Sequence, residues 1–255
     1  MNPRPIFLLT DFGLKDPYVG LMKAQIIKQS PPPQIIDLTH QVEPGSELTA
    51  AFLLEYSCSH LPENSVVVVV VDPGVGSGRQ IIAVKTAGNR YIVVPDTGIV
   101  EGFDWEKAVV VENKKLFRET GCDTFHGRDR FAPVGRFLSQ GGELGFLGSE
   151  INRRPRGSIV PKPRRRDEKI IGNIVYCDRF GNCITNIPRE MLPENPVFLV
   201  GKERITGLAE TYDELEERGI VFGSFNRAEI AFKRDSATEK LNLQTGMEVE
   251  VEPGN

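Results

Sequence analysis

Ser65-Val66-Val67-Val68-Val69-Val70-Val71-Asp72-Pro73-Gly74-Val75-Gly76-Ser77-Gly78-Arg79 sets six consecutive valines ahead of an acid, a Pro-Gly turn, two further glycines and a guanidinium. A β-branched run that is apolar on both faces of the pleat predicts a strand buried on both sides, the habit of a central parallel strand in an α/β sheet. Ligands of open α/β sheets gather at the carboxyl ends of the strands, so Asp72 and Arg79 stand where chemistry is expected.

Upstream, the chain alternates. Pro5 to Thr10 reads as a short strand ending at Thr10-Asp11-Phe12-Gly13, and Tyr18 to Gln29 carries Val19, Met22, Ile26 and Ile27 at helical spacing, with Pro17 suited to the first turn. Pro31-Pro32-Pro33 stops that helix. Gln34 to Asp37 is a second strand leading into Leu38-Thr39-His40, and Glu43 to His60 a second helix with Leu48, Phe52 and Leu53 inward. Strand and helix in turn predict βαβ units and a mostly parallel sheet.

Downstream the pattern changes. Gln80 to Thr86 and Tyr91 to Pro95 read as a hairpin across Gly88-Asn89. A dinucleotide fingerprint needs its glycines to open a helix, whereas Gly74-Val75-Gly76-Ser77-Gly78-Arg79 runs straight into a strand, which excludes that cofactor. Asp96-Thr97-Gly98 ends another strand, Ala108 to Glu112 is a further one, and Thr124-Phe125-His126-Gly127-Arg128-Asp129 precedes a helix from Phe131 to Leu138.

Between Arg153 and Arg166 come seven Lys or Arg residues and three prolines. The net charge of the whole chain is −4, so this run reads as a solvated connector and not as a nucleic-acid patch. The expected organisation is an N-terminal, mostly parallel α/β sandwich domain over residues 1–152, a basic, proline-rich linker over 153–168 and a smaller C-terminal β-barrel domain over 169–255. Short strands are predicted in the last at Ile170 to Tyr176, Cys183 to Asn186, Val197 to Val200, Gly219 to Phe222, Glu229 to Phe232 and Met247 to Val251, with one helix from Thr211 to Arg218.

Hydrophobic residues at 40% and charged residues at 26% describe an ordinary globular chain. No apolar run has the length of a signal peptide or a membrane span, so a cytoplasmic protein without membrane partner is expected. Cys58, Cys122, Cys177 and Cys183 show no CxxC spacing, lie in different predicted elements and are read as reduced thiols. Of three histidines, His60 ends a helix, whereas His126 lies in a loop beside Arg128 and Asp129 and is a candidate for chemistry.

Six motifs together resemble the S-adenosylmethionine hydrolases, the hydroxide-using, adenosine-forming relatives of the fluorinase and chlorinase enzymes. They are Thr10-Asp11-Phe12-Gly13 with Asp16 and Tyr18; Asp37-Leu38-Thr39-His40; Val71 to Gly76 with Arg79; Thr124 to Asp129; Asp178-Arg179-Phe180-Gly181-Asn182; and Ser224-Phe225-Asn226-Arg227. The resemblance runs from about residue 5 to residue 251. It implies attack of water or hydroxide on the ribose 5′ carbon of S-adenosylmethionine, giving adenosine and methionine, in a homotrimer that holds the substrate between neighbouring subunits. It also implies that Asp72, Arg79 and His126 position and activate the water, that Asp11 binds the ribose hydroxyls, that Asp16, Tyr18, Asp178 and Ser224 surround the methionine end, and that Phe180 and Asn182 lie near the adenine. No cofactor and no metal are implied. The halogen-transferring relatives lack the equivalents of Asp72 and His126, so the resemblance favours hydroxide over halide.

The residue chemistry agrees with this. A sulfonium leaves as a neutral thioether and needs no general acid, so the demand falls on the nucleophile and its alignment. Where the family is expected to carry Pro-Asp-Asn-Gly, this chain has Pro95-Asp96-Thr97-Gly98, which bears on affinity more than on reaction type. Two other readings stay open from the residues alone. Strand-end Asp11, Asp37, Asp72 and Asp96 with His126 would suit a metal-dependent phosphohydrolase, and a module that binds S-adenosylmethionine or a nucleoside without turnover would serve as a sensor.

Overall fold

The computed structural model describes residues 2–28, 30–119, 124–153 and 155–254. Cys122 and the last residue of the predicted first helix, Gln29, lie outside them. The chain divides into two compact units, Met1–Ile159 and Val160–Asn255.

In the first unit, β1 (Ile6–Thr10), β2 (Ile35–Thr39), β3 (Val66–Val70), β4 (Ile81–Thr86), β5 (Tyr91–Pro95) and β6 (Trp105–Val110) form one sheet in the order β2-β1-β3-β5-β4-β6. The first four in that order are parallel neighbours, and β4 runs antiparallel to both β5 and β6. All five β3 residues are buried, as a strand apolar on both faces requires. β4 and β5 make the predicted hairpin, with Asn89 taking φ +54° in its turn.

The helices are shorter than the periodicity predicts. α1 spans Tyr18–Ile26, and Ile27, just past its end, is 54% exposed. α2 spans Glu47–Cys58, opened by the Ser46 hydroxyl, which accepts from the Thr49 amide. Its inward residues are Ala50, Ala51, Phe52 and Leu54, while Leu48 and Leu53 are only half-buried, because the small alanines let the helix approach β1 along a different stripe. The third helix starts with a π-helical turn, Gly127–Phe131, and continues as α3 (Ala132–Ser139). A Cβ at Gly135 would lie 2.5 Å from Val68 Cγ2, so glycine is what allows α3 to lie down on β3.

The second unit is a curled, half-barrel sheet of β7 (Arg164–Arg166), β8 (Lys169–Cys177), β9 (Cys183–Thr185), β10 (Pro196–Val200), β11 (Glu203–Ile205), β12 (Leu208–Ala209), β13 (Arg218–Phe222), β14 (Ala228–Phe232) and β15 (Glu248–Pro253). Ile174, Phe198, Ile220, Ile230 and Val249 fill its core. The basic stretch is therefore not wholly a connector, since β7 pairs with β8. Nor is Thr211 to Arg218 a helix. One 3-10 turn, Tyr212–Glu214, stands there, anchored by buried Leu215, and the helix of this unit is α4 (Ala237–Leu241), capped by Ser236. No helix of the described residues is long and apolar enough to cross a membrane.

Candidate active site

The parallel register of β1 and β3 puts Thr10 beside Val70, so the acids that follow these strands, Asp11 and Asp72, leave the sheet together. The Asp72 side chain is 5% exposed, and its Oδ1 accepts from the Gly74 amide at 2.8 Å and faces Arg79 Nη1 at 3.2 Å. The same guanidinium nitrogen donates to Glu47 Oε1 at 3.0 Å. A Cβ at Gly74 would lie 2.8 Å from Arg79 Nη2, so the glycine makes room for that side chain. Asp11 Oδ2 accepts from the Gly45 amide at 2.9 Å. Burial first, and the nearby Asp72 charge in addition, push the Asp11 carboxyl above its ordinary range.

His126 directly follows a member of an aromatic cluster. Phe12, Tyr18 and Phe125 form a trio with ring centroids 5.2 to 5.9 Å apart, all edge-to-face, which ties the loop after β1 to the loop before the π-turn. Gly127 completes the fit, since a Cβ there would lie 3.0 Å from the Phe12 ring. His126 itself is 8% exposed and opens the π-turn, which packs against β3. Arg128 makes a two-pronged pair with Asp129, at 2.6 and 2.7 Å. Asp16 and Tyr18 are exposed, Tyr18 as the outer member of the trio.

Behind Asp11 runs a relay. The Phe12 amide donates to Thr10 Oγ1, which lies 2.8 Å from His40 Nδ1; His40 Nε2 is 3.1 Å from Asp37 Oδ1, and Lys23 Nζ donates to Asp37 Oδ2 at 2.6 Å. The His40 carbonyl also accepts from Gly13 at 2.7 Å, so the whole Asp11-Phe12-Gly13 turn is held.

In the second unit, a pocket of about 860 Å³ is lined by Asp178, Phe180, Asn182 and Ser224, four residues the sequence points to, together with Tyr212, Phe225, Glu229, Phe232, Arg234, Asp235 and Ser236. Asp178 is largely occupied by its own turn: Oδ1 accepts from the Phe180 and Asn182 amides, both at 2.9 Å, and Oδ2 from Asn182 Nδ2 at 3.0 Å. Phe180 is 73% exposed at the tip. Glu229, 2% exposed, takes the Tyr212 hydroxyl at 2.7 Å. Burial pushes the Glu229 carboxyl upward, with the Asp178 charge adding to it against the opposing Tyr212 and Gly223 hydrogen bonds; burial and the bond to Glu229 keep Tyr212 protonated as the donor.

The profile of the SAM hydroxide adenosyltransferase N-terminal domain matches residues 6–148, and that of the C-terminal domain matches residues 172–250. The chain belongs to this family. It is 36% identical to a protein of Thermus thermophilus named (R)-S-adenosyl-L-methionine hydrolase, over 96% of this chain and 98% of that one. A Salinispora arenicola protein of the same name is 31% identical over 98% of each chain. Among solved structures, an uncharacterised conserved protein from Thermotoga maritima superposes with a TM-score of 0.88 at 33% identity, covering 97% of this chain and all of that one.

Within the family frame, Glu47 and Glu229 are the functional candidates that sequence reading misses. Neither stands in a motif, and each meets its partner, Arg79 or Tyr212, only through the fold. At the departure from the expected motif, the Thr97 hydroxyl accepts from the Ile99 amide at 3.4 Å. Of the other strand-end acids, Asp37 is engaged by Lys23 and His40, and Asp96 by Arg153. Among the described residues no group of three or more His, Cys, Asp or Glu is arranged to hold a metal ion.

Proposed function

We propose that this chain is an S-adenosylmethionine hydrolase in which Asp72, Arg79 and His126 direct water at the ribose 5′ carbon. The oxygen–C5′ bond forms as the C5′–sulfur bond breaks, methionine departs as a neutral thioether, and the water proton passes to the Asp72 carboxylate and on to solvent. Asp72 accepts a hydrogen bond from the attacking water and orients it. Arg79 and a His126 donor favour the hydroxide character that develops on it. Asp11 takes the ribose hydroxyls, Asp16, Tyr18, Asp178 and Ser224 the methionine end, and Phe180 and Asn182 the adenine. No cofactor and no metal take part in this reading, the protein works in the cytoplasm as a homotrimer, and the substrate lies between neighbouring subunits.

The observation that carries the reading is the Asp72–Arg79 pair at the exit of a strand with no exposed residue, next to Asp11, in a chain whose relatives are named as hydrolases of this substrate. The test is incubation of purified, chelator-treated protein with S-adenosylmethionine in chloride-free and in fluoride-containing buffer. Adenosine and methionine are expected in both. A 5′-halogenated nucleoside, loss of activity to the chelator, or bound but intact substrate would each overturn the proposal, in favour of halide transfer, metal chemistry and sensing respectively.

A further inference from the structure

Cys177 and Cys183 are register partners across β8 and β9, at the two stems of the Asp178–Asn182 turn. Their sulfurs are 3.6 Å apart. The Asp178 amide donates to the Asn182 carbonyl at 3.0 Å, so the adjoining pair, Cys177 and Cys183, is a non-hydrogen-bonded one, where facing side chains of an antiparallel ladder approach closest. A disulfide asks for sulfurs about 2.05 Å apart on facing Cβ atoms about 4 Å apart. The two sulfurs, register partners already, are roughly 1.5 Å farther apart than a bond between them requires. The two sulfurs are also unequal. Cys177 is half-buried, whereas Cys183 is fully buried and its thiol is pushed far up, by the hydrogen bond with Cys177 first and by burial second.

We infer that Cys177 and Cys183 are a site of reversible disulfide formation, with a low-molecular-weight disulfide such as oxidised glutathione as the oxidant, and that the bridge clamps the turn bearing Asp178, Phe180 and Asn182. The Cys177 sulfur attacks the reagent, forming a mixed disulfide and releasing one reduced thiol. The Cys183 sulfur then attacks the Cys177 sulfur, gives up its proton to the departing thiolate, and a second reduced thiol leaves. Two protein thiols are oxidised as one disulfide reagent is reduced to two thiols. The ring so closed contains the whole turn. Phe180, exposed at its tip, covers a nucleoside only by movement about the two stems, and the bridge stiffens both. This second half rests on the proposed substrate; the bridge does not.

The full chain is reduced, exchanged into oxidised glutathione, and followed by intact mass and by peptide mapping without reductant, with S-adenosylmethionine turnover measured before and after. The expected product has lost two hydrogens, links Cys177 to Cys183, reverts with dithiothreitol, and shows a KM raised about fivefold with kcat within about twofold. Cys183→Ala is expected to stop at a glutathione adduct on Cys177, and Cys177→Ser to resist modification at the pair. A lasting adduct on wild-type Cys177 overturns the bridge, as does a folded protein that stays unmodified while its denatured form is oxidised. A bridge with unchanged KM overturns the clamp. Absence of turnover in the reduced protein counts against the proposed activity alone, since the mass measurement still decides the bridge.

Discussion

The exit of β3 and the turn between β8 and β9 both present carboxylates, yet they are made in opposite ways. Asp72 rides on a strand with no exposed residue and is matched by the Arg79 cation. Asp178 rides on a turn that its own oxygens knit together, under a phenylalanine that is mostly in solvent, and the buried acid beside it, Glu229, is met by a neutral hydroxyl. A charge fixed to a rigid strand and balanced by a guanidinium keeps its direction while a nucleophile is aligned on it. A self-knit turn with an aromatic tip offers shape and adaptability instead. In the proposed reaction, bond breaking belongs to the strand exits and recognition to the turns.

Substitutions at Asp72 put that division under the greatest strain. Asp72→Ala is expected to lower kcat about a thousandfold while calorimetry finds S-adenosylmethionine bound within about threefold of wild type. Equal losses of binding and turnover would erase the division. His126→Ala belongs on the same side, with an expected drop of about a hundredfold in kcat, and wild-type turnover would remove His126 from the proposed trio. On the other side, Glu229→Gln and Phe180→Ala are each expected to raise KM about tenfold with kcat within about twofold; a fall in kcat instead would move chemistry into the second unit.

Asp11 sharpens the contrast within the first unit. Its folded carboxyl is held above the ordinary value of 3.8, so the proton binds the folded state more tightly than the unfolded one. The stability this confers is full below 3.8 and is lost as pH rises through the raised value. Asp11→Asn has no such loss. The variant is therefore expected to gain in Tm over wild type on going from acid to neutral pH while binding S-adenosylmethionine more weakly, and parallel melting curves across pH would expose the error. The smallest effect belongs to the relay. Thr10→Val leaves His40 Nδ1 buried without its hydroxyl partner and is expected to cost about 1–3 kcal/mol in denaturant unfolding.

The sheet was legible because its signals are local: six valines in a row, alternating helices, a Gly-Asn hairpin. Asp178, Phe180, Asn182 and Ser224, which line one pocket, and the proposed trio of Asp72, Arg79 and His126 were picked out through motifs, each a short run beside a turn. What escaped is what needs long-range geometry. Glu47 lies 32 residues from Arg79, and Glu229 lies 17 from Tyr212. The misplaced helix has the same origin. Thr211 to Arg218 is rich in helix formers but buries Leu215 as its one apolar anchor, whereas Ala237–Leu241 is too short to display a period and is held by the Ser236 cap. The facing cysteines, six residues apart, looked unrelated because their pairing exists only once β8 and β9 are in register.

The burial of β3 carries one more consequence. Its amides bond to β1 on one side and β5 on the other beneath α3, so no fraying or single-loop opening frees them. In deuterated water they are expected to be among the last to exchange, at the rate of global unfolding, while the amides of the exposed Val75–Gly78 segment exchange early. Asp72 stands at the boundary between these regimes, one residue past the buried valines, which lets the loop beyond it breathe without loosening the acid.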